Sequence, residues 1–185
     1  MRIIGGAWRG RRLAQLGQGD ARAHLRPTSD RVRESLFNVL ANAHADRLGG
    51  ARVLDLFAGT GALGLEALSR GAAHASFVEQ GRTALRLLRE NIRHCGAGAQ
   101  TTVLARDARR PGPPPQPCGL VFLDPPYGKG LGETALGGAI ASGWLSDDAL
   151  VVWEESADVT PPPGLRPIDQ RRYGDTVIRL FARLA

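Results

Sequence analysis

A doubly wound α/β domain is the fold class this sequence predicts. Three features carry that reading: five short apolar runs without polar alternation, helical stretches between most of them, and a glycine-rich turn directly after the first run. Continuous apolar runs belong to strands covered on both faces, the condition of a parallel sheet between helix layers. With 185 residues, 43% hydrophobic and 23% charged, the chain reads as one domain with a sizeable core.

Arg2-Ile3-Ile4-Gly5-Gly6-Ala7-Trp8-Arg9-Gly10-Arg11-Arg12-Leu13 reads as two short strands around a glycine turn, an arginine-studded hairpin within a basic arm at 1–25. The remainder, 26–185, reads as the core. Pro27 keeps Arg26 extended, Thr28 or Ser29 caps a helix, and Val32, Leu36, Val39 and Leu40 form its apolar face. Strands are expected at 53–57, 75–78, 102–104, 120–123 and 150–153, and helices at about 62–70, 82–94 and 131–141. The stretch 165–184 reads as two more strands around Tyr173-Gly174-Asp175, an antiparallel hairpin at the sheet edge that brings the sheet to seven strands. The proline-rich run at 111–117 is a stiff connector.

The formal net charge is +6, and eight arginines against two aspartates within 1–33 account for all of it. A basic arm on a neutral body is the electrostatic footprint of a protein that docks on nucleic-acid phosphates. The two cysteines, Cys95 and Cys118, make no disulfide framework and have no metal-type partners, so a reducing, cytoplasmic setting is expected and no metal. No apolar run reaches the roughly 18 residues of a membrane span.

The first strand runs Val53-Leu54-Asp55-Leu56-Phe57-Ala58 into Gly59-Thr60-Gly61-Ala62-Leu63-Gly64. That spells G-x-G-x-x-G, with Glu79 twenty residues beyond Gly59, where a ribose-binding acid belongs. The glycines admit a ligand close to backbone, and the helix start favours a negative group. Asp55 at the strand end repels a pyrophosphate but attracts an ammonium, directly or through water. S-adenosyl-L-methionine carries such an ammonium, with a sulfonium, a ribose diol and an adenine amine. Glu79 accepts from the ribose hydroxyls and Asp107, after the third strand, from the adenine amine. A nicotinamide dehydrogenase is disfavoured by Asp55 and by the lack of a His/Tyr/Lys constellation.

The fourth strand ends in Asp124-Pro125-Pro126-Tyr127. Two prolines fix a backbone carbonyl and the Asp124 carboxylate toward one point, where an exocyclic NH2 donates two hydrogen bonds, and Tyr127 offers a face for a base to stack on. Two acceptors position the amine nitrogen and favour the pyramidal form that attacks a methyl in line with sulfur, so catalysis is positioning and electrostatics. A DNA adenine or cytosine amino-methyltransferase could use the same turn. A non-catalytic RNA-binding module would have no need of it.

These residues resemble the class I S-adenosylmethionine-dependent methyltransferases, and within them the bacterial 16S rRNA guanine-N2 methyltransferases acting on guanine(966). The broader class rests on 55–61, Glu79, Asp107 and the 124–127 turn. The narrower family rests on Arg2-Ile3-Ile4-Gly5-Gly6 with Trp8-Arg9-Gly10, on Arg26-Pro27-Thr28 through Arg31-Val32-Arg33-Glu34 to Phe37-Asn38, and on Gly61-Ala62-Leu63-Gly64-Leu65-Glu66-Ala67-Leu68-Ser69-Arg70. The resemblance covers nearly the whole chain. It implies a Rossmann-like class I fold with an N-terminal RNA-binding β-hairpin, action on the small subunit or its assembly intermediate, and a helix at 28–38 closing over the methionine end of the cofactor; a monomer is expected. The expected cofactor residues are Thr28, Asp55, Phe57, Ala58, Gly59, Gly61, Glu79, Gln80, Asp107 and Ala108. Arg2, Arg9, Arg11, Arg12, Arg26, Arg31 and Arg33 are expected on RNA.

Overall fold

The computed structural model describes residues 1–15, 29–126 and 130–184. Its seven-stranded sheet comprises β1 (Arg52–Leu56), β2 (His74–Glu79), β3 (Thr101–Ala105), β4 (Cys118–Leu123), β5 (Leu145–Glu154), β6 (Leu165–Tyr173) and β7 (Thr176–Arg183). Strand order is β3-β2-β1-β4-β5-β7-β6. The first five strands run parallel, and β7 enters antiparallel between β5 and the edge strand β6. From β1 the chain winds outward through β2 to β3 and then crosses back to β4 on the other side. The order therefore reverses between β1 and β4, and a ligand crevice belongs outside the carboxyl ends of those strands.

Helices α1 (Asp30–Ala43), α2 (Ala62–Ser69), α3 (Arg82–Cys95) and α4 (Leu131–Ala141) cover the sheet. Strand alternation sorts the core into two layers. On one face Leu36 and Phe37 of α1, Leu65 of α2 and Leu88 of α3 pack with Val53, Phe122, Val152 and Ile178. On the other Leu54, Leu56, Val121 and Trp153 pack with Leu136 and Ala139 of α4. Phe37 and Phe122 meet at 5.7 Å between ring centroids, which fixes α1 over β4. Each such buried side chain contributes about 1.5–3 kcal/mol. Ser29 caps α1, its hydroxyl accepting from Val32 N; Thr28, the other capping candidate, lies outside the described residues.

One expectation needs correcting. Strand β5 begins at Leu145, five residues before the apolar run at 150–153, because exposed Asp147 and Asp148 interrupt the apolar pattern while the backbone stays extended. The expected N-terminal hairpin is present in short form, with Ile3 N donating to Arg11 O at 2.9 Å and Leu13 N to Met1 O at 3.1 Å. It has a single bridge, Arg2 with Arg12, around a one-turn 3-10 helix at Gly6–Trp8. Beyond that bridge the amides of Ile4 and Gly5 donate to Glu66 of α2, at 2.7 and 2.9 Å.

Candidate active site

Where β1 ends, the backbone takes left-handed values at Phe57 (φ 60°), Gly59 (φ 57°) and Gly61 (φ 79°). A bulky residue held there costs on the order of 1–3 kcal/mol, a strain typical of ligand-binding turns. A side chain at Gly61 would lie 2.4 Å from Leu88 Cδ1, and one at Gly64 2.4 Å from Phe77 Cε1. These glycines therefore let α2 sit tightly on β2 and α3. Ala58 is buried and its amide donates to Val78 O.

Asp55 is 2% exposed, and its Oδ2 accepts from Gly64 N, in the first turn of α2, at 3.0 Å. Burial pushes its carboxyl up to about 8, against the Gly64 hydrogen bond and with a smaller push from Glu79. The group is thus mostly neutral at pH 7 until a cation arrives beside it. Glu79, at the tip of β2, accepts from Gly59 N at 2.9 Å with one oxygen and from Gln80 N and Gly81 N at 2.8 and 2.7 Å with the other. It thereby ties the glycine turn to β2. A carboxylate has about four acceptor sites, so room remains for a hydroxyl. Gln80 is exposed beside it.

Asp107 follows β3, and Arg109 grips it: Nε donates to Oδ1 and Oδ2 at 3.1 and 2.9 Å, and Nη2 to Oδ2 at 2.7 Å. That hydrogen-bonded guanidinium holds the Asp107 carboxyl below the usual range. An adenine amine at Asp107 must share the carboxylate with Arg109. Ala108 is buried in the α4-side core. Asp124 and Pro126 are half-buried and Pro125 is buried directly after β4; Tyr127 lies outside the described residues. The fold thus gathers Asp55, Glu79, Asp107 and Asp124 at the carboxyl edge of four neighbouring strands.

The arginines divide. Arg2, Arg9, Arg11, Arg12 and Arg31 are exposed, while Arg26 lies outside the described residues. Arg11 also donates to His94 O, at the C-terminal end of α3, at 2.9 Å. Arg33 corrects its expectation: it is 0% exposed, donating to Asp30 Oδ1 at 2.5 Å and Arg2 O at 2.7 Å, with Glu66 Oε2 at 3.6 Å from Nη1. A guanidinium spent inside the protein is withdrawn from RNA phosphates.

Three docking residues escaped the sequence reading. Glu66, 0% exposed, binds Ile4 N, Gly5 N and Arg70 Nε. Ser69 accepts from Trp8 N and donates to Gly5 O. Asn91 accepts from Ala14 N and donates to Ala14 O and to Thr60 O of the glycine turn. The available signal was two polar residues, Glu66 and Ser69, inside an otherwise apolar helix.

The strand order, the glycine turn and the row of carboxylates define a class I methyltransferase with an S-adenosylmethionine-type cofactor. Comparison with known proteins narrows this: the family model described as Conserved hypothetical protein 95 matches residues 1–182. The chain belongs to that family. It is 39% identical over 188 residues to Ribosomal RNA small subunit methyltransferase D of Escherichia coli K12, covering 100% of this chain and 91% of the relative. The Haemophilus influenzae protein of the same name is 36% identical, covering 98% and 93%. A solved Escherichia coli structure, described as Putative methyltransferase yhhF, superposes with a TM-score of 0.83 at 40% identity, covering 100% of this chain and 98% of that one.

Proposed function

We propose that this protein transfers a methyl group from S-adenosyl-L-methionine to the exocyclic N2 amine of a guanine in 16S ribosomal RNA, in the small subunit or its assembly intermediate. The observation that carries the reading is the Asp124-Pro125-Pro126 turn at the reversal point of the sheet, one strand from the glycine turn. The names of the full-length relatives supply the RNA class.

The residues fit the cofactor by the chemistry of their donors and acceptors. Asp55 takes the ammonium end, the tight turn through Phe57, Ala58, Gly59 and Gly61 lets a ligand approach the chain closely, and Glu79 with Gln80 faces the ribose. Asp107 with Ala108 takes the adenine end; the methionine end is assigned to Thr28, which lies outside the described residues. When bound, the cofactor supplies an electrophilic methyl on a sulfonium. Asp124 and a carbonyl of its turn accept hydrogen bonds from both amine N–H groups and orient the nitrogen lone pair; the stacking role is assigned to Tyr127, which lies outside the described residues. The cationic product nitrogen loses its proton to Asp124 or water. Arg2, Arg9, Arg11, Arg12 and Arg31 engage phosphates, and Arg26 extends the same basic segment.

Among the described residues no helix is long and apolar enough to cross a membrane. We place the protein in the cytoplasm as a monomer, one catalytic domain per subunit. Labelled cofactor offered with small subunits from cells lacking the activity tests the reading: label should appear at N2 of one 16S guanine. Label confined to DNA or to another base, or none, overturns it.

A further inference from the structure

Strand register places a second carboxylate beside the catalytic turn. The last paired step between β4 and β5 joins Leu123 to Trp153. The next residue of each chain is an acid, Asp124 on one side and Glu154 on the other, at neighbouring strand tips about 4.8 Å apart. Glu154 pairs with Ile178 of β7, and directly paired residues share a face of the sheet. Ile178, like Val152 two residues before Glu154, belongs to the layer under α1. Glu154 therefore sits on the α1 face, 6% exposed at the edge where chemistry occurs. Across that face the Ser35 hydroxyl of α1 and the Tyr173 hydroxyl, 2.7 Å apart, bind the helix to the β6–β7 turn.

We infer that Glu154 is a specificity residue that reads the guanine edge by accepting from N1–H while Asp124 holds the N2 amine. The inference rests on the guanine reading above and deepens it. Guanine presents two kinds of donor side by side on this edge, N1–H and the amine. Adenine and cytosine present an acceptor nitrogen beside their amine, and a carboxylate facing that nitrogen repels it. Two acids on adjacent strand tips thus match guanine and reject the other amino-bearing bases. Glu155 plays a different part, since its Oε1 accepts from Ser156 N, Ser156 Oγ and Ala157 N of its own turn.

The test uses the full-length protein and small subunits reconstituted with either guanine or 2-aminopurine at the target position. 2-Aminopurine keeps the C2 amine but lacks N1–H. Wild-type protein should favour guanine in kcat/KM by about 10- to 100-fold, the range of a hydrogen bond to a charged group. In Glu154→Ala that preference should fall to near one, with cofactor Kd unchanged. Glu154→Gln keeps one acceptor oxygen at nearly constant shape and should show an intermediate preference, which guards against an alanine variant that folds poorly. A wild-type enzyme indifferent to the swap, or variants that retain the full guanine preference, overturn the inference while the methyltransferase reading stands. Guanine subunits left unmethylated by wild-type protein overturn the reading beneath it.

Discussion

Glu66 is where the N-terminal segment, α1 and α2 share one buried charge, so its removal has a calculable effect. In Glu66→Ala, the amides of Ile4 and Gly5 lose acceptors at 2.7 and 2.9 Å, Arg70 loses its 2.7 Å partner, and buried Arg33 keeps only Asp30 and a carbonyl. Each orphaned donor costs about 1–3 kcal/mol, but Ile4 and Gly5 can recover water if the segment lifts, so the donors do not add in full. Breaking a buried ion pair by deleting one partner costs about 3–5 kcal/mol, and that sets the expected loss. For a domain of this length it lowers Tm by roughly 6–20 °C. Glu66→Gln retains one acceptor and should lose about half as much. Calorimetric melting gives the global effect, and amide exchange at Ile4 and Gly5 should accelerate in the alanine variant before the sheet opens. A loss below about 1 kcal/mol with exchange unchanged would show that Glu66 does not hold the segment.

Four further outcomes are expected. Asp124→Ala should abolish methyl transfer, by single-turnover assay, while calorimetry finds cofactor affinity within about threefold of wild type, because the carboxylate faces the base; near-wild-type turnover would refute the mechanism. Asp55, raised to about 8 when folded, is most favourable to the cofactor-free fold below its ordinary range. Its contribution should fall by up to about 1.4 kcal/mol per pH unit as pH rises from about 4 to 8, a trend absent in Asp55→Asn when urea midpoints are compared. Replacing Arg9 and Arg12 together should flatten the salt dependence of RNA binding by about 1.5 units of slope if both reach phosphates; an unchanged slope removes them from the interface. Arg31→Ala should weaken RNA binding without moving Tm, whereas Arg33→Ala should lower Tm by several degrees, and equal effects on Tm would refute their separation.

Most of the sheet was legible because buried parallel strands write themselves as unbroken apolar runs. The runs at 53–57 and 120–123 lie within a residue or two of β1 and β4, and Glu79 and Asp124 stand at the strand ends where the runs placed them. What stayed hidden had no periodic signature. Exposed Asp147 and Asp148 concealed the first half of β5 although the backbone there is extended. The docking of residues 1–15 depends on side chains more than fifty positions away, Glu66, Ser69 and Asn91, and neither a turn motif nor local charge encodes such pairings. Asp107 illustrates a third limit: its place after β3 was readable, but its partner Arg109, two residues on, was hidden among the chain's many arginines.

Charge shows why position in the chain and position in space diverge. All of the net charge lies within 1–33, which reads as a uniform basic extension. Arg31 and Arg33, however, stand two residues apart on a helix that turns about 100° per residue, so they point about 160° apart. One meets solvent, and the other is driven into the seam between α1, α2 and the N-terminus, where Asp30 and Glu66 offset its charge. The same segment thereby supplies exposed cations for a polyanion and an internal ion pair that fixes where those cations stand. An arm that is free in solution would lose conformational entropy on meeting RNA; within residues 1–15 the amides of Ile4, Gly5, Trp8 and Ala14 are already bound to side chains of α2 and α3, so for that stretch the cost is met on folding rather than on binding.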